Sequence, residues 1–232
     1  MFRRMPYGTA DIATATGPDF RHVDAWLFDL DNTLYSASTA LMKQHEERIC
    51  LFVQRHLGLP RDQAWTVQKA YLAEYGTTLG GLMAHHGVDP DPFIEFVNDV
   101  DISSIVANDA LADGLSRLKG RRLIFTNNCG RFAGRVLDRL GVAHLFDDIV
   151  DSRTQFFVFK PQQRTYEVAI ARTGARPHRI AMVDDALKNL APAHALGLTT
   201  VWHNDVGTVV EKPDYVHHET RDLAAFLSWI RI

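Results

Sequence analysis

Short apolar runs alternate with helical patterns along most of this chain, and this alternation constrains the fold more than any other feature. The apolar runs lie at 24–30, 121–128, 147–152, 179–185 and 198–203. Helical patterns lie between or beside them at 108–120, 130–142, 162–174 and 187–198. Strands that alternate with helices predict a parallel sheet, and continuously apolar strands predict that helices cover both of its faces. The sequence therefore predicts an α/β fold with three layers.

The alternation breaks after the first strand, where about 70 residues carry helical spacing instead. In an open α/β sheet, an insertion after the carboxyl end of a strand lies over the ligand-binding crevice. The sequence therefore predicts a helical lid, with a helical decoration remote from the crevice as the alternative. We divide the chain into a flexible polar tail at 1–22, a core domain formed by 23–36 and 106–232, and a helical cap at 37–105.

The composition of this 232-residue chain argues against several functional classes. A hydrophobic fraction of 46% is ample for a packed core. A net charge of −3 gives no electrostatic case for binding nucleic acid or a membrane surface. No apolar run approaches the roughly 20 residues that span a bilayer, and the N-terminus lacks the apolar segment of a secretory signal. Two cysteines without metal-site spacing indicate a reducing, cytoplasmic location, while the choice between monomer and homodimer stays open.

Two aspartates, Asp29 and Asp31, end the first apolar run in the stretch AWLFDLDNTLYS. Residues i and i+2 of a strand point to the same side, so these two carboxylates are expected to lie close together. Two such groups do not both ionise readily unless a cation intervenes, so their titrations are driven apart. One acid can then be an ionised nucleophile and the other a proton donor. For an isolated pair, a helix cap beside a solvated acid is the simpler interpretation.

Three further strand ends carry groups suited to phosphate or metal binding. Thr126 and Asn127 end the second strand with a hydroxyl, an amide and backbone N–H groups that can hold phosphate oxygens. Lys160 ends another apolar run, where its ammonium could neutralise a phosphoryl group or a carboxylate. Asp184 and Asp185 close the fourth strand with the oxygen ligands that Mg²⁺ prefers. Each group alone can also be explained as a turn residue, a surface residue or a helix cap. Parallel strands end at one edge of the sheet, however, so all four strand ends would converge there.

These four segments, in this order, resemble the motifs of the haloacid dehalogenase (HAD) superfamily. FDLDNTLY is similar to its first motif, Asp-x-Asp-x-Thr, and LIFTNN is similar to its second, a strand that ends in Thr or Ser. Lys160 matches the third motif and MVDDALKN the acidic fourth. The resemblance covers about 23–230 of the chain and implies a Rossmann-like core in which the 37–105 insertion is a C1-type helical cap.

The resemblance implies a phosphatase that works through an aspartyl-phosphate. Asp29 would attack phosphorus, and Asp31 would protonate the leaving oxygen and then activate water. Thr126 and Lys160 would bind the phosphoryl oxygens. These roles agree with the chemistry of phosphoryl transfer, in which the protein mostly positions the reacting groups and neutralises their charge.

The resemblance also implies a Mg²⁺ cofactor held by acids of the first and fourth motifs. The ligands would be Asp29, the backbone carbonyl of Asp31 and Asp185, with Asp184 assisting. The fourth motif departs from the common Gly-Asp, because it reads Asp184-Asp185. This departure affects the details of the metal shell rather than the chemistry.

Within the superfamily, the sequence is most similar to the pyrimidine 5'-nucleotidase branch. The cap segment YGTTLGGLMAHH carries much of this likeness, which implies that the substrate is a pyrimidine nucleoside 5'-monophosphate. The candidate substrate-binding residues are Thr126, Asn127, Lys160, Tyr35, His85 and His86. Aromatic and histidine groups of the cap could stack on a base or bond to it, and they could equally pack the cap or face solvent.

Other functions fit the same motifs. A sugar-phosphate or phosphoglycolate phosphatase, or a mutase, would use the same core with another substrate. A non-catalytic phosphate-binding or receiver-like domain is disfavoured by the helical insertion and by Asp31, since a receiver needs a single phosphorylatable aspartate. A dehalogenase is disfavoured because hydrolysis of a carbon–halogen bond does not need the acid that Asp31 supplies.

Overall fold

Six parallel strands form one sheet in the described part of the chain. The computed structural model describes residues 17–36 and 40–232. The strands are β1 (Ala25–Phe28), β2 (Arg121–Phe125), β3 (Asp148–Val150), β4 (Ile180–Asp184), β5 (Thr199–His203) and β6 (His218–Thr220). Their order in the sheet is β3-β2-β1-β4-β5-β6, and every neighbouring pair is parallel. The predicted α/β class with a parallel sheet is confirmed.

Helices cover both faces of the sheet. Alternate residues of a strand point to opposite faces, and in β1 Trp26 and Phe28 enter one hydrophobic core while Ala25 and Leu27 enter the other. The first core is closed by α5 (Asp109–Ser116), α6 (Gly130–Leu140) and α9 (Leu223–Trp229), and the second by α7 (Gln163–Thr173) and α8 (Leu187–Ala195). Of the helices in the described ranges, none is both long and apolar enough to cross a membrane.

One strand, β6, lies outside the sequence prediction. Its three residues are polar and partly exposed, so neither an apolar run nor an alternating pattern marks them. The strand forms by backbone pairing with β5, in which His218 lies opposite Val201 and Thr220 lies opposite His203. The side chains of this edge strand are half-buried or exposed, so its sequence carries no apolar signal.

The predicted flexible tail needs a correction at its C-terminal end. Its first part, 1–16, lies outside the described residues, but 17–22 packs against the core. Phe20 is 1% exposed, and its ring stacks on Trp26 with 5.2 Å between the ring centroids. The backbone N–H of Phe20 also donates a hydrogen bond to the C-terminal segment of the chain. The prediction is therefore wrong for 17–22, because a buried aromatic side chain fixes this segment.

Of the five helices that the described residues place between β1 and β2, the first four form the predicted insertion. They are α1 (Ala40–Leu57), α2 (Arg61–Tyr75), α3 (Thr78–His86) and α4 (Pro90–Val97). They share a hydrophobic cluster in which Leu82 and Phe93 are buried, and Phe159 of the core packs into the same cluster. The helices therefore form a packed unit that rests on the core. The boundaries of the cap, 37–105, stay a prediction, and 37–39 lies outside the described residues.

Candidate active site

Three adjacent strands, β2, β1 and β4, bring the candidate residues to one edge of the sheet. Asp29 follows the end of β1, and its N–H donates to the carbonyl oxygen of Val183 in β4 at 2.9 Å. Thr126 follows the end of β2, and Asp184 is the last residue of β4. These ends lie side by side because paired parallel strands finish at the same edge.

Lys160 is the buried cation of this edge, with a side chain that is 1% exposed. Its Nζ donates to Asp29 Oδ1 at 2.7 Å, to Asp184 Oδ2 at 2.8 Å and to the carbonyl oxygen of Phe125 at 2.8 Å. All three N–H groups of the ammonium are therefore used. Burial alone would lower the pKa of Lys160, but Asp184 and Asp29 outweigh it and raise that pKa, so the group stays charged.

Asp184 is fully buried and held from several directions. Its Oδ1 accepts hydrogen bonds from the backbone N–H of Ala186 and from Nδ2 of Asn189, both at 2.9 Å. Its Oδ2 accepts from Lys160, as described above. The neighbouring Asp185 is only half-buried. This arrangement supports the prediction that Asp185 is the direct metal ligand and that Asp184 assists.

Three acids at this edge form a candidate metal site. Asp29, Asp184 and Asp185 each offer a carboxylate oxygen, and these oxygens lie within 4.8 Å of one another. Burial raises the pKa of Asp29 well above its usual range, Lys160 opposes this, and the two other acids add to it. A divalent cation would relieve the repulsion, and carboxylate oxygens are the ligands that Mg²⁺ prefers, so the donor set fits Mg²⁺. The carboxylate of Asp31 lies outside this cluster, which leaves only its predicted backbone carbonyl as a ligand.

We expect Mg²⁺ to raise the thermal unfolding temperature more at about pH 8 than at about pH 6. Burial and Asp184 raise the pKa of Asp185 to about 7, while Lys160 and Asn32 oppose the shift. Between the ordinary pKa of an aspartate and about 7, the metal-free folded state binds more protons than the unfolded state, so its stability falls as pH rises. Mg²⁺ would bind the deprotonated acid and so offset this loss. Unfolding scans with Mg²⁺ and with EDTA measure the effect, and Asp185→Asn should remove its pH dependence.

Asp31 has different partners from Asp29, although the two are neighbours in sequence. Its Oδ1 accepts a hydrogen bond from the hydroxyl of Tyr35, and its Oδ2 is 3.5 Å from Nδ2 of Asn128. Tyr35 is buried, and burial together with Asp31 raises the pKa of its phenol, so the hydroxyl remains a donor. The prediction that Tyr35 contacts substrate therefore needs correction, because its hydroxyl is engaged by Asp31. We assign Tyr35 the role of a positioning residue.

Tyr35→Phe should lower kcat about tenfold with little change in KM, because the loss of one charge-assisted hydrogen bond frees the carboxylate of Asp31 to rotate. Steady-state kinetics of phosphate release measure both constants. Tyr75→Phe is the matched control, since the hydroxyl of Tyr75 pairs with His85 on the outer surface of the cap. A change confined to KM in Tyr35→Phe would instead return this residue to substrate binding.

Thr126 and Asn127 occupy the turn after β2 in different ways. The hydroxyl oxygen of Thr126 accepts from the N–H of Asn128 at 3.0 Å, which leaves its O–H free to donate toward a phosphoryl oxygen. The side chain of Asn127 instead holds the backbone of Lys160, donating to its carbonyl at 3.1 Å and accepting from its N–H at 2.8 Å. The Asn127 amide therefore positions Lys160, while Asn127 also lines the cavity and its phosphate contact stays a prediction.

A cavity of about 280 Å³ lies between this edge of the core and the cap helices. Asp31 and Asn128 line its core side, and Thr77 lies on its cap side. The approach depends on Gly76, which has a φ of +79° and whose added Cβ would lie 2.4 Å from the carbonyl oxygen of Lys160. Glycine therefore lets the YGTT segment approach the core closely, and the helices cover the site as the predicted lid would.

His85 and His86 lie elsewhere. Both are exposed, and their Nε2 atoms pair with the hydroxyls of Tyr75 and Tyr71 respectively, each at 2.7 Å. Neither histidine is among the described residues that line the cavity. This placement contradicts the prediction that they contact the substrate and agrees with the alternative, in which they pack on the surface of the cap.

The polar side chains that line the cavity include three buried ones of the cap that the sequence patterns did not single out. They are His45 of α1, Gln68 of α2 and Asn98 directly after α4. Each is buried, although each residue type is usually exposed or only partly buried. The signal that could have marked them is a polar residue on the inward face of an amphipathic helix.

The fold and this set of acids around a buried lysine define a hydrolase core built for phosphoryl or related group transfer. The family model described as haloacid dehalogenase-like hydrolase matches residues 23–197, and the chain belongs to this family.

The individual relatives are less than 30% identical in sequence to this chain. The chain is 28% identical over 194 residues to phosphate metabolism protein 8 of Saccharomyces cerevisiae, a match that covers 77% of this chain but only 60% of that protein. It is 26% identical over 222 residues to glyceraldehyde 3-phosphate phosphatase of Methanothermobacter thermautotrophicus, covering 86% of this chain and 93% of that protein. The crystal structure of a HAD phosphatase from Thermococcus onnurineus has a TM-score of 0.61 at 20% identity, covering 90% of this chain and 100% of that one. This last likeness shows that the fold is the same.

Proposed function

We propose that this chain is a Mg²⁺-dependent phosphatase that hydrolyses small phosphate monoesters through an aspartyl-phosphate on Asp29. The observation that carries the proposal is the difference in surroundings between the two acids after β1. Asp29 is buried beside Lys160 and the candidate metal ligands, whereas Asp31 is half-buried, lines the cavity and is oriented by Tyr35. These surroundings support a role for Asp29 as the acceptor of the phosphoryl group and a role for Asp31 in proton exchange with a ligand in the cavity.

In the first step, a carboxylate oxygen of Asp29 attacks phosphorus while the bond from phosphorus to the ester oxygen breaks. Asp31 gives its proton to that oxygen, so that an alcohol leaves rather than an alkoxide. In the second step, Asp31 takes a proton from the water whose oxygen attacks phosphorus, and phosphate and the free carboxylate of Asp29 are released. Thr126 donates a hydrogen bond to a phosphoryl oxygen. Mg²⁺, held by Asp29, the carbonyl of Asp31 and Asp185, would supply the charge neutralisation that phosphoryl transfer needs.

Lys160 acts in this scheme by its charge rather than by a hydrogen bond to the substrate. Its three N–H groups are already engaged by Asp29, Asp184 and a backbone carbonyl. A buried positive charge next to the nucleophile favours the ionised form of Asp29 and offsets the charge of the incoming phosphoryl group.

We propose a pyrimidine nucleoside 5'-monophosphate as the first substrate candidate. The support is the likeness of the cap segment YGTTLGGLMAHH to the pyrimidine 5'-nucleotidase branch. A sugar phosphate is the second candidate, and it is supported by the relative named for glyceraldehyde 3-phosphate, whose sequence matches over 93% of its length. The two candidates differ in leaving group and share the chemistry at phosphorus. Phosphoglycolate and a mutase reaction remain alternatives on the same core.

Phosphate release from UMP, CMP, AMP, GMP, glyceraldehyde 3-phosphate and phosphoglycolate, with Mg²⁺ and with EDTA, tests the proposal. We expect turnover only with Mg²⁺ and the highest kcat/KM with UMP and CMP. A preference for glyceraldehyde 3-phosphate would select the second candidate.

Asp31→Asn should lose turnover with every substrate, because an amide neither protonates a leaving group nor accepts a proton from water. Equal activity of the wild type and Asp31→Asn would refute the assigned role of Asp31. Binding without phosphate release would make the chain a non-catalytic phosphate-binding protein.

A further inference from the structure

Three buried polar side chains of the cap helices face the same cavity as Asp31. His45 is 6% exposed, Gln68 is 2% exposed and Asn98 is 9% exposed. All three line the cavity of about 280 Å³. Each carries one polar atom that has no hydrogen-bond partner among the described residues, namely His45 Nε2, Gln68 Oε1 and Asn98 Oδ1. Buried polar atoms are rarely left without a partner, so these atoms, together with the unpartnered Ser152 Oγ of the core, indicate that the cavity receives polar groups.

The orientation of the two amides is fixed by their other ends. Gln68 Nε2 donates to the carbonyl oxygen of Glu46 at 3.3 Å, and Asn98 Nδ2 donates to the carbonyl oxygen of Ile94 at 3.0 Å. A flipped amide would bring its oxygen against those carbonyl oxygens. Gln68 Oε1 and Asn98 Oδ1 are therefore acceptors, and hydrogen-bond donors of a ligand would satisfy them.

His45, the third of these side chains, contacts the core. Its ring contacts Phe132 edge to face, with 4.9 Å between the ring centroids. Burial lowers the pKa of His45, against the influence of Asp31 and Asn98, so the ring is neutral. Asn98 lies near enough to raise the pKa of His45, although no hydrogen bond of regular geometry joins the two side chains. A neutral imidazole nitrogen can accept from or donate to a ligand group between them.

We propose that Gln68, Asn98 and His45 bind the leaving group of the phosphate ester and select alcohols that carry hydrogen-bond donors. The inference rests on the proposed phosphatase function, because the cavity holds the leaving group only if Asp31 faces the scissile bond. The two amide acceptors favour ligands with hydrogen-bond donors, which sugar hydroxyls or the N–H of a base can supply. An ester of a simple aliphatic alcohol leaves both acceptors unpaired, and a buried acceptor without a partner disfavours binding.

The first test uses the wild-type protein and matched pairs of esters with Mg²⁺. Glycerol 3-phosphate is compared with propyl phosphate, and UMP with its 2',3'-dideoxy and N3-methyl analogues. We expect kcat/KM to fall at least about tenfold when the selected donors are removed. Loss with the dideoxy analogue assigns the acceptors to hydroxyls, and loss with the N3-methyl analogue assigns them to the base. Equal kcat/KM within every pair would overturn the inference.

The second test measures the same ratios in Gln68→Met and Asn98→Leu, which remove the acceptors at nearly constant size. We expect each ratio to fall toward one. Gln63→Met is the matched control, because Gln63 is an exposed residue of the same helix and should leave the ratio unchanged. Ratios that persist in the cavity variants would also overturn the inference.

Hydrolysis of p-nitrophenyl phosphate distinguishes failure of the inferred leaving-group site from failure of the proposed phosphatase function. If this ester is hydrolysed but the matched pairs are not distinguished, only the inference about the leaving group fails. If no ester is hydrolysed, the phosphatase function fails, and the inference that rests on it fails as well.

Discussion

Asp29→Asn should abolish turnover, with a loss of at least about a thousandfold in kcat, because an amide oxygen is not a nucleophile toward phosphorus. Asparagine keeps the size of the side chain, and its oxygen can still accept the hydrogen bond from Lys160. The sheet edge is therefore expected to keep its arrangement while the chemistry stops. Phosphate release under saturating substrate and Mg²⁺ measures the loss.

A chemical readout separates this role from simple electrostatics. Acid quenching during turnover should trap a phosphoryl group on the peptide that contains Asp29 in the wild type and leave that peptide unmodified in Asp29→Asn. Asp113→Asn is the matched control, because Asp113 is an exposed acid on α5, and its activity should equal that of the wild type. A rate above about 1% of wild type in Asp29→Asn would contradict covalent catalysis by this residue.

The core of the site could be predicted from the sequence because it is built on strand ends. An apolar run that stops at acids, as at Asp29 and Asp184, marks both the strand and the place where it meets solvent. Parallel topology then brings such ends together without further information, since neighbouring strands finish at one edge. Lys160 also follows an apolar run, but the prediction of a strand there is wrong, because 151–162 forms turns and the lysine is delivered by one of them. Its 2.7 Å contact with Asp29 joins residues far apart in sequence.

The contacts of the surrounding side chains could not be predicted, because they depend on how separate elements pack. Asn127 reads as a phosphate ligand in the sequence, yet its amide closes on the backbone of Lys160. Tyr35 reads as a substrate contact, yet its hydroxyl turns back to Asp31. The sequence allows His85 and His86 to face either the cavity or solvent. Which of these they face depends on how α3 is oriented within the cap. Helical spacing gives the face of a helix and does not say which partner will cover it.

We expect the positive charge of Lys160 to contribute to both the stability of the fold and catalysis. The ammonium is buried between Asp29 and Asp184 and donates to both. Removal of one partner from a buried set of charges is strongly destabilising, because the remaining charges lose both their counter-charge and their access to water. Two carboxylates at one site also repel each other, so each disfavours ionisation of the other.

Lys160→Met should therefore lower the free energy of unfolding of the metal-free protein by about 3–5 kcal/mol at about pH 8 and abolish turnover. Burial already raises the pKa of Asp29 above its value in the unfolded state, and the variant lacks the opposing charge of Lys160. The folded state then binds more protons, and stability falls as pH rises. Denaturant unfolding at about pH 5 and about pH 8 should show a smaller loss at the lower pH.

The second change Asp184→Asn should restore part of the stability in the Lys160→Met background without restoring activity, because it removes one of the two repelling carboxylates. Lys119→Met, at an exposed position, is the control and should unfold like the wild type. Equal stability of Lys160→Met and wild type at both pH values would mean that the buried ion pairs contribute nothing net to the fold. If such a stable variant lost activity, the charge of Lys160 would serve catalysis alone. If instead Lys160→Met lost stability and Asp184→Asn partly restored it, stability and catalysis would both depend on Asp29, Lys160 and Asp184.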